Sequence, residues 1–128
     1  MPKLIPPALR EKNRYLAFEI ISDQKFSRDE IVKAAWNASL RYLGEKGTSQ
    51  TSMWIMDWET DAQKGIIKVN HRSVDDIKAA LTLMTEIKKG ENKHRAAYHT
   101  LTVSGTLKKL REKTGMKKPE RIQTQKTR

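Results

Sequence analysis

Between Arg14 and Ser104 the apolar residues change their period in a fixed order, and that order restricts the fold more than any other feature of the chain. The segment RYLAFEIIS, residues 14–22, alternates Leu16, Phe18 and Ile20 with Tyr15, Ala17, Glu19 and Ile21, which predicts a strand. At SRDE the pattern turns helical: Ser27 suits an N-cap and Glu30, three residues on, completes a capping box. Ile31, Ala35, Ala38 and Tyr42, flanked by Val32, Trp36, Leu40 and Leu43, form a wide apolar stripe that predicts a helix ending at Gly44, with GEKGTSQT as a loop. SMWIMDWE and GIIKVN alternate again and, joined by TDAQKG, predict a hairpin. Ser73, Asp75 and Asp76 open a second helix, which Ile77, Ala80, Leu81, Met84 and Ile87 extend to Gly90. KGENK is a turn, HRAAYHTLTVS a fourth strand, and GTLKKLREKTG a short third helix anchored by Leu107 and Leu110.

This order is that of a ferredoxin-like, RRM-like split βαβ sandwich of the α+β class, with a four-stranded antiparallel sheet and helices on one face, here followed by a basic C-terminal helix. With 128 residues there is room for one such core. Residues 1–13, in which Ile5-Pro6-Pro7 bars regular structure, read as an extended basic arm; 14–113 as the domain with its terminal helix; and 114–128, almost devoid of apolar residues, as a basic disordered tail.

Charge is distributed unevenly over that plan. Residues 1–14 carry four basic and one acidic side chain, 15–89 eleven of each, and 90–128 eleven basic against three acidic, so the whole net charge of +11 lies on the two flanks. A neutral scaffold with cationic ends suits a polyanion, and nucleic acid is the partner class it points to; the plainer reading is a pair of solvated ends that aid solubility. There is no cysteine, which removes disulfides and thiolate chemistry and accords with a reducing cytoplasm. No apolar run approaches the roughly 18–20 residues of a membrane span, so a cytoplasmic protein without a membrane partner is expected.

The residues argue against an active site. His94 and His99 are five apart and point to opposite faces of a regular strand, while His71 lies in a distant turn. Asp57, Glu59 and Asp61 fit a solvated hairpin tip better than a cation site, and Asp75 with Asp76 fit a helix N-terminus. No nucleophile has a base beside it, so catalytic residues and metal ligands are expected to be none. The stacking signature of an RNA-recognition motif also fails, because Lys64-Gly65-Ile66-Ile67-Lys68-Val69 offers no ring. Trp54, Met56 and Trp58 are expected beneath the helices as core, leaving Tyr15, Ala17, Ile21, Ile55 and Ile66 on a free, apolar sheet face suited to a protein partner. At the C-terminal end, Ser104 and Gly105 precede a helix whose first amides could hold a phosphate, although Ser104 as a simple N-cap explains the pair equally well. Lys108, Lys109, Arg111 and Lys113 follow as a cationic surface, and Arg10, Lys12 and Arg14 are their counterparts at the other flank.

The double-proline arm PPALREK, the strand RYLAFEIIS, the helix AAWNASLRYLGEKGT, the strand GIIKVN, the helix ending ALTLMTEI and the closing TLTVSGTLKKL resemble, in that order and from about Leu4 to Lys113, archaeal ribonuclease P protein component 2, the archaeal branch of the Pop-type subunit family of ribonucleases P and MRP. The resemblance implies a protein that is not itself the nuclease. Its partners would be ribonuclease P RNA, which uses magnesium ions to remove the 5′ leader from precursor tRNA, and protein component 3, a TIM-barrel-like protein. Self-association of two such pairs into a heterotetramer is also implied, with precursor tRNA engaged indirectly. The protein itself would bind no cofactor. An RNA-binding ferredoxin-like protein of another ribonucleoprotein, such as the ribosome, shares the charge pattern, and a small-molecule or enzymatic domain would need a polar pocket that the sequence does not display.

Overall fold

The computed structural model describes residues 12–115; Arg10, most of the arm and nearly all of the tail lie outside the described residues. Six strands and three helices follow in the order β1 (Asn13–Ile21), α1 (Arg28–Thr51), β2 (Trp54–Glu59), β3 (Lys64–Asn70), α2 (Val74–Thr82), β4 (Glu86–Lys89), β5 (Asn92–Arg95), β6 (Ala97–Ser104) and α3 (Leu107–Thr114), with a 3₁₀ turn at His71–Ser73. The main sheet is antiparallel with strand order β2-β3-β1-β6, which is the expected ferredoxin-like arrangement. On one face Leu16, Phe18, Ile20, Ile55, Ile67 and Val69 meet Ile31 and Ala35 of α1 and Ile77 and Leu81 of α2. Phe18 lies at the centre, its ring 5.8 Å from that of Trp58 and 5.5 Å from that of Tyr98. Gly65 permits this packing: a Cβ there would fall 2.6 Å from the Asp57 carbonyl oxygen and 2.8 Å from the Phe18 ring.

α1 begins at the capping box read from the sequence, the Ser27 hydroxyl accepting from the Glu30 amide and the Glu30 carboxylate accepting from the Ser27 amide. It does not end at Gly44. The backbone breaks there, at φ 76° and ψ 176°, a conformation open essentially to glycine, and a second helical segment runs on to Thr51 where a loop was expected. That segment is polar in sequence because its buried side are threonines: the Thr51 hydroxyl donates to the Thr48 carbonyl at 2.7 Å and accepts from the Met53 amide at 3.2 Å. The apolar stripe of α1 also divides, for Ile31 and Ala35 are buried while Trp36, Leu40 and Tyr42 stay exposed.

β2 corrects the expectation for its aromatic row. The pairing with β3 shifts between Ile55 and Asp57, a β-bulge that places Met56 and Asp57 together on the face away from α1 and α2. Trp58 therefore returns to the main core, where its Nε1–H donates to the Phe26 carbonyl at 2.8 Å, whereas Trp54 points the other way and is 59% exposed. Ile55, expected on the free face, is core.

The second helix is shorter than its apolar period suggested. Its last turn tightens, with the Met84 amide donating to the Leu81 carbonyl at 3.1 Å, and residues 86–95 form a small hairpin turning at Gly90, φ 65°. Ile87 is buried from a strand, and the helical spacing of Met84 and Ile87 is coincidental.

α3 lies across the sheet face that was expected to be free. Leu110 is fully buried against Ala17 and Ile66, with Tyr15, Met56, Leu101 and Leu107 around it. Of the residues assigned to a partner surface, Ala17 and Ile66 thus lie beneath a helix of the same chain, Tyr15 is half-buried beside them, and Ile21 alone is largely exposed. The four residues from Leu107 to Leu110 suffice to lay one turn of apolar surface onto the sheet, which is why the face is closed intramolecularly.

Candidate nucleic-acid interface

In an antiparallel sheet of this order, the start of β1, the end of β3, the start of β2 and the end of β6 fall at the same end, so the topology brings the two cationic flanks together. Lys12, exposed just before β1, accepts at its carbonyl from the His71 amide at 2.7 Å, which ties the entry of the chain to the turn after β3. Arg14 is half-buried, donates from Nη1 to the Asn13 carbonyl at 3.0 Å, and reaches Gly105 closely enough that a Cβ there would meet the guanidinium at 3.9 Å. Gly105 leads directly into α3, so Lys12, Arg14, Ser104 and Gly105 share this end of the sheet, next to Lys108 and Lys109 in the first turn of α3.

The helix start is built differently from the sequence expectation. Thr106 is the N-cap, its hydroxyl accepting from the Lys109 amide at 3.2 Å. Ser104 is buried and its hydroxyl accepts from the Thr106 amide at 3.3 Å, which directs two of the amides proposed for a phosphate toward the chain's own side chains. Ser104 is therefore a turn-former that sets the cap.

α3 sorts its charges by face. Leu107, Leu110, Arg111 and Thr114 repeat at helical spacing toward the sheet, while Lys108, Lys109, Glu112 and Lys113 face outward. Arg111 is consequently withdrawn from the cationic surface: its Nη2 donates to Asp57 Oδ2 at 2.5 Å in an ion pair whose side chains are 17% and 7% exposed. Its position four residues after Leu107, on the apolar stripe, is the signal that distinguishes it from its lysine neighbours. Sequence reasoning also missed Arg72, exposed in the turn after β3 at the same end, because only the register of β3 with β1 brings it there.

Among the described residues no group of three or more His, Asp or Glu side chains comes together to hold a metal ion. His99 instead pairs through Nδ1 with Glu19 Oε2 at 3.1 Å across β6 and β1. No helix of the described residues is long and apolar enough to cross a membrane.

Fold and surface together define a small ferredoxin-like α+β protein, cationic at one end of its sheet and with a basic helix closing the second sheet face. Residues 14–114 match the Rpp14/Pop5 family, and the chain belongs to that family. It is similar to ribonuclease P protein component 2 of Thermococcus kodakarensis, at 43% identity over 112 residues that cover 88% of this chain and 90% of that protein. The protein of the same name from Pyrococcus furiosus is 44% identical over 112 residues, again 88% of this chain and 90% of the relative, and that from Methanocaldococcus jannaschii 38% over 122 residues, 94% and 87%. A chain in the cryo-EM structure of yeast ribonuclease MRP superposes with a TM-score of 0.59 at 16% identity, covering 83% of this chain and 93% of that one, a likeness of fold.

Proposed function

We propose that this protein is a non-catalytic subunit of ribonuclease P that binds and organises the catalytic RNA, working with protein component 3 in magnesium-dependent removal of the 5′ leader from precursor tRNA. The observation that carries this is the match to ribonuclease P protein component 2 along 88% of the chain. The placement of Lys12, Arg14, Lys108 and Lys109 at one sheet end supplies a physical means. Cations of this kind neutralise phosphates and release counterions, whereas hydrolysis is left to the RNA and its magnesium ions. Lys113, outward on α3, extends the same surface in this reading, and Arg10, outside the described residues, is a further proposed phosphate contact; Arg111 contributes by holding the helix in place. A cysteine-free chain suits the cytoplasm as its compartment. Component 3 and a second copy of the chain are partners in this proposal, with no site for them on the sheet face that α3 covers.

Reconstitution tests the reading. With about six phosphates neutralised, RNA affinity should fall with salt at a log–log slope of roughly −4 to −5. Combined with ribonuclease P RNA and component 3, the chain should support precursor-tRNA cleavage, and Lys108→Glu with Lys109→Glu should lower both that support and the magnitude of the salt slope. Cleavage by the protein without RNA, or full activity of the doubly reversed variant, would overturn it.

A further inference from the structure

One residue row crosses the whole sheet on the α3 side. Trp54 pairs with Lys68, Lys68 with Tyr15, and Tyr15 with Ser104, so the four side chains share one face in a line from the open β2 edge to the start of α3. Their neighbours Ile55, Leu16, Ile67 and Val69 all point into the main core, which fixes the direction of the row. Ser104 is buried and Tyr15 and Lys68 are half-buried, but Trp54 leaves 59% of its surface open on the edge strand. Two strand spacings, about 10 Å, separate Trp54 from Tyr15, with the lysine between them. We propose that this row is a stacking subsite for single-stranded RNA, in which the indole of Trp54 takes the face of an unpaired base and Lys68 its phosphate, the strand then running toward Lys108 and Lys109. The proposal rests on the RNA-binding function above and deepens it by naming the form of RNA and the residue that holds a base.

The surroundings decide the occupant. Among the described residues, the other large exposed apolar side chains are elsewhere: Trp36, Leu40 and Tyr42 on α1, Leu83 just after α2, and Ile21 at the opposite end of β1. Trp54 is thus not part of a broad apolar patch of the kind that a protein interface covers. Its sheet end carries Lys12, Lys68 and Arg72, which complement a polyanion. An aromatic ring beside cations is the combination that single strands use, since every unpaired base offers a π face and a duplex hides it.

The experiment uses the full chain, a short labelled oligouridine strand and an RNA duplex of equal charge, with affinity measured over a salt series. Trp54→Ala is expected to weaken binding of the strand by about tenfold or more, to leave the duplex unaffected, and to keep the salt slope, because no phosphate contact is removed. Trp54→Phe keeps a stacking ring and should stay within about threefold of the parent on the strand. Strand affinity of Trp54→Ala within about twofold of the parent, or an equal loss on strand and duplex, overturns the subsite. If that silence accompanies weakened binding by Lys108→Glu with Lys109→Glu, the RNA function stands and the subsite alone falls. If the parent chain has no salt-dependent affinity for either RNA, both fall together. Loss of component 3 binding by Trp54→Ala with RNA affinity intact would make the tryptophan a protein contact and would also overturn the subsite.

Discussion

On one side of the sheet, fifteen buried residues drawn from two helices, the small hairpin, four strands and the connections at Phe26, Met53 and Ala96 form a continuous cluster around Phe18; on the other, Ala17 and Ile66 meet one short helix through Leu110. The first side is fastened chiefly by apolar area, including stacked aromatic rings, with the half-buried Trp58 indole N–H donating to the Phe26 carbonyl. The second relies on Leu110, ringed by Tyr15, Met56, Leu101 and Leu107, and on the Arg111–Asp57 ion pair; of the cations assigned to RNA, Lys108, Lys109 and Lys113 project from its helix, whereas Arg14, paired with Val69, leaves β1 on the main-core face. Burying one leucine contributes about 2–3 kcal/mol. α3 is therefore expected to open at a lower free energy than the rest of the domain, and the helix that carries Lys108, Lys109 and Lys113, proposed to meet RNA, is also the element whose geometry adjusts most easily.

The comparison is broken most directly from the strong side. Phe18→Ala should cost about 3–5 kcal/mol in urea unfolding, with loss of protection throughout the sheet, because the ring is fully buried and touches both Trp58 and Tyr98. An effect under about 1 kcal/mol would show that the two sides are not unequal in the way their packing implies.

Arg111→Met is the matching change on the weak side. It withdraws the guanidinium from a buried carboxylate and should cost about 3 kcal/mol, read first as faster amide exchange in α3, at the Leu110 amide that donates to Thr106, while α1 and α2 keep their protection. Replacing Asp57 by Leu in the same chain should recover much of that loss, since an apolar pair can stand in for a buried ion pair. Uniform loss of protection in both layers would mean that α3 is as integral to folding as the main core.

Gly65→Ala strikes the junction of the two sides. The new Cβ would press on the Asp57 carbonyl, which sits in the bulge, and on the Phe18 ring, so a cost of about 2–3 kcal/mol is expected in thermal unfolding. Phe18→Leu in the same chain should relieve part of it.

Much of this architecture is legible in the sequence, and the exceptions share a cause. β1, the Ser27 capping box, the β2–β3 hairpin and α3 are each set by contacts a few residues apart, which periodicity and capping rules describe. The bulge at Met56 lies instead beside the close approach of Gly65 to Phe18 and to the Asp57 carbonyl, contacts between three strands that no local pattern registers. The helix of residues 45–51 buries Thr48 and Thr51, so it carries no apolar period to read. In the β4–β5 hairpin Ile87 is the single buried apolar side chain, and the Lys89 ammonium lies over the Phe26 ring, 5.8 Å from its centroid, where a sequence pattern registers only charge. The same distinction holds for the candidate interface: its lysines are visible as charge, but their convergence follows from the strand order, and the ion pair of Arg111 and the role proposed for Trp54 follow from which face each side chain takes.

An effect that vanishes near neutral pH sharpens the contrast last. Tyr98 belongs to the strong side, almost fully buried beside Phe18, and burial pushes its hydroxyl up to about 12, with the hydrogen bond from the Thr100 hydroxyl at 2.8 Å pulling the other way. Below pH 10 the phenol is protonated whether the chain is folded or not, so it contributes nothing to the pH dependence there. Between pH 10 and about 12 it ionises in the unfolded chain first, which favours unfolding. Stability held in full below pH 10 is therefore lost as pH rises through about 12, by roughly 2–3 kcal/mol at the end of the window. Tyr98→Phe removes this group, and the difference between its stability profile and that of the parent should be flat below pH 10 and slope only above it. A difference that stays flat up to pH 12 would show that Tyr98 ionises as a solvent-exposed phenol does and that the main core does not seal this end of β6.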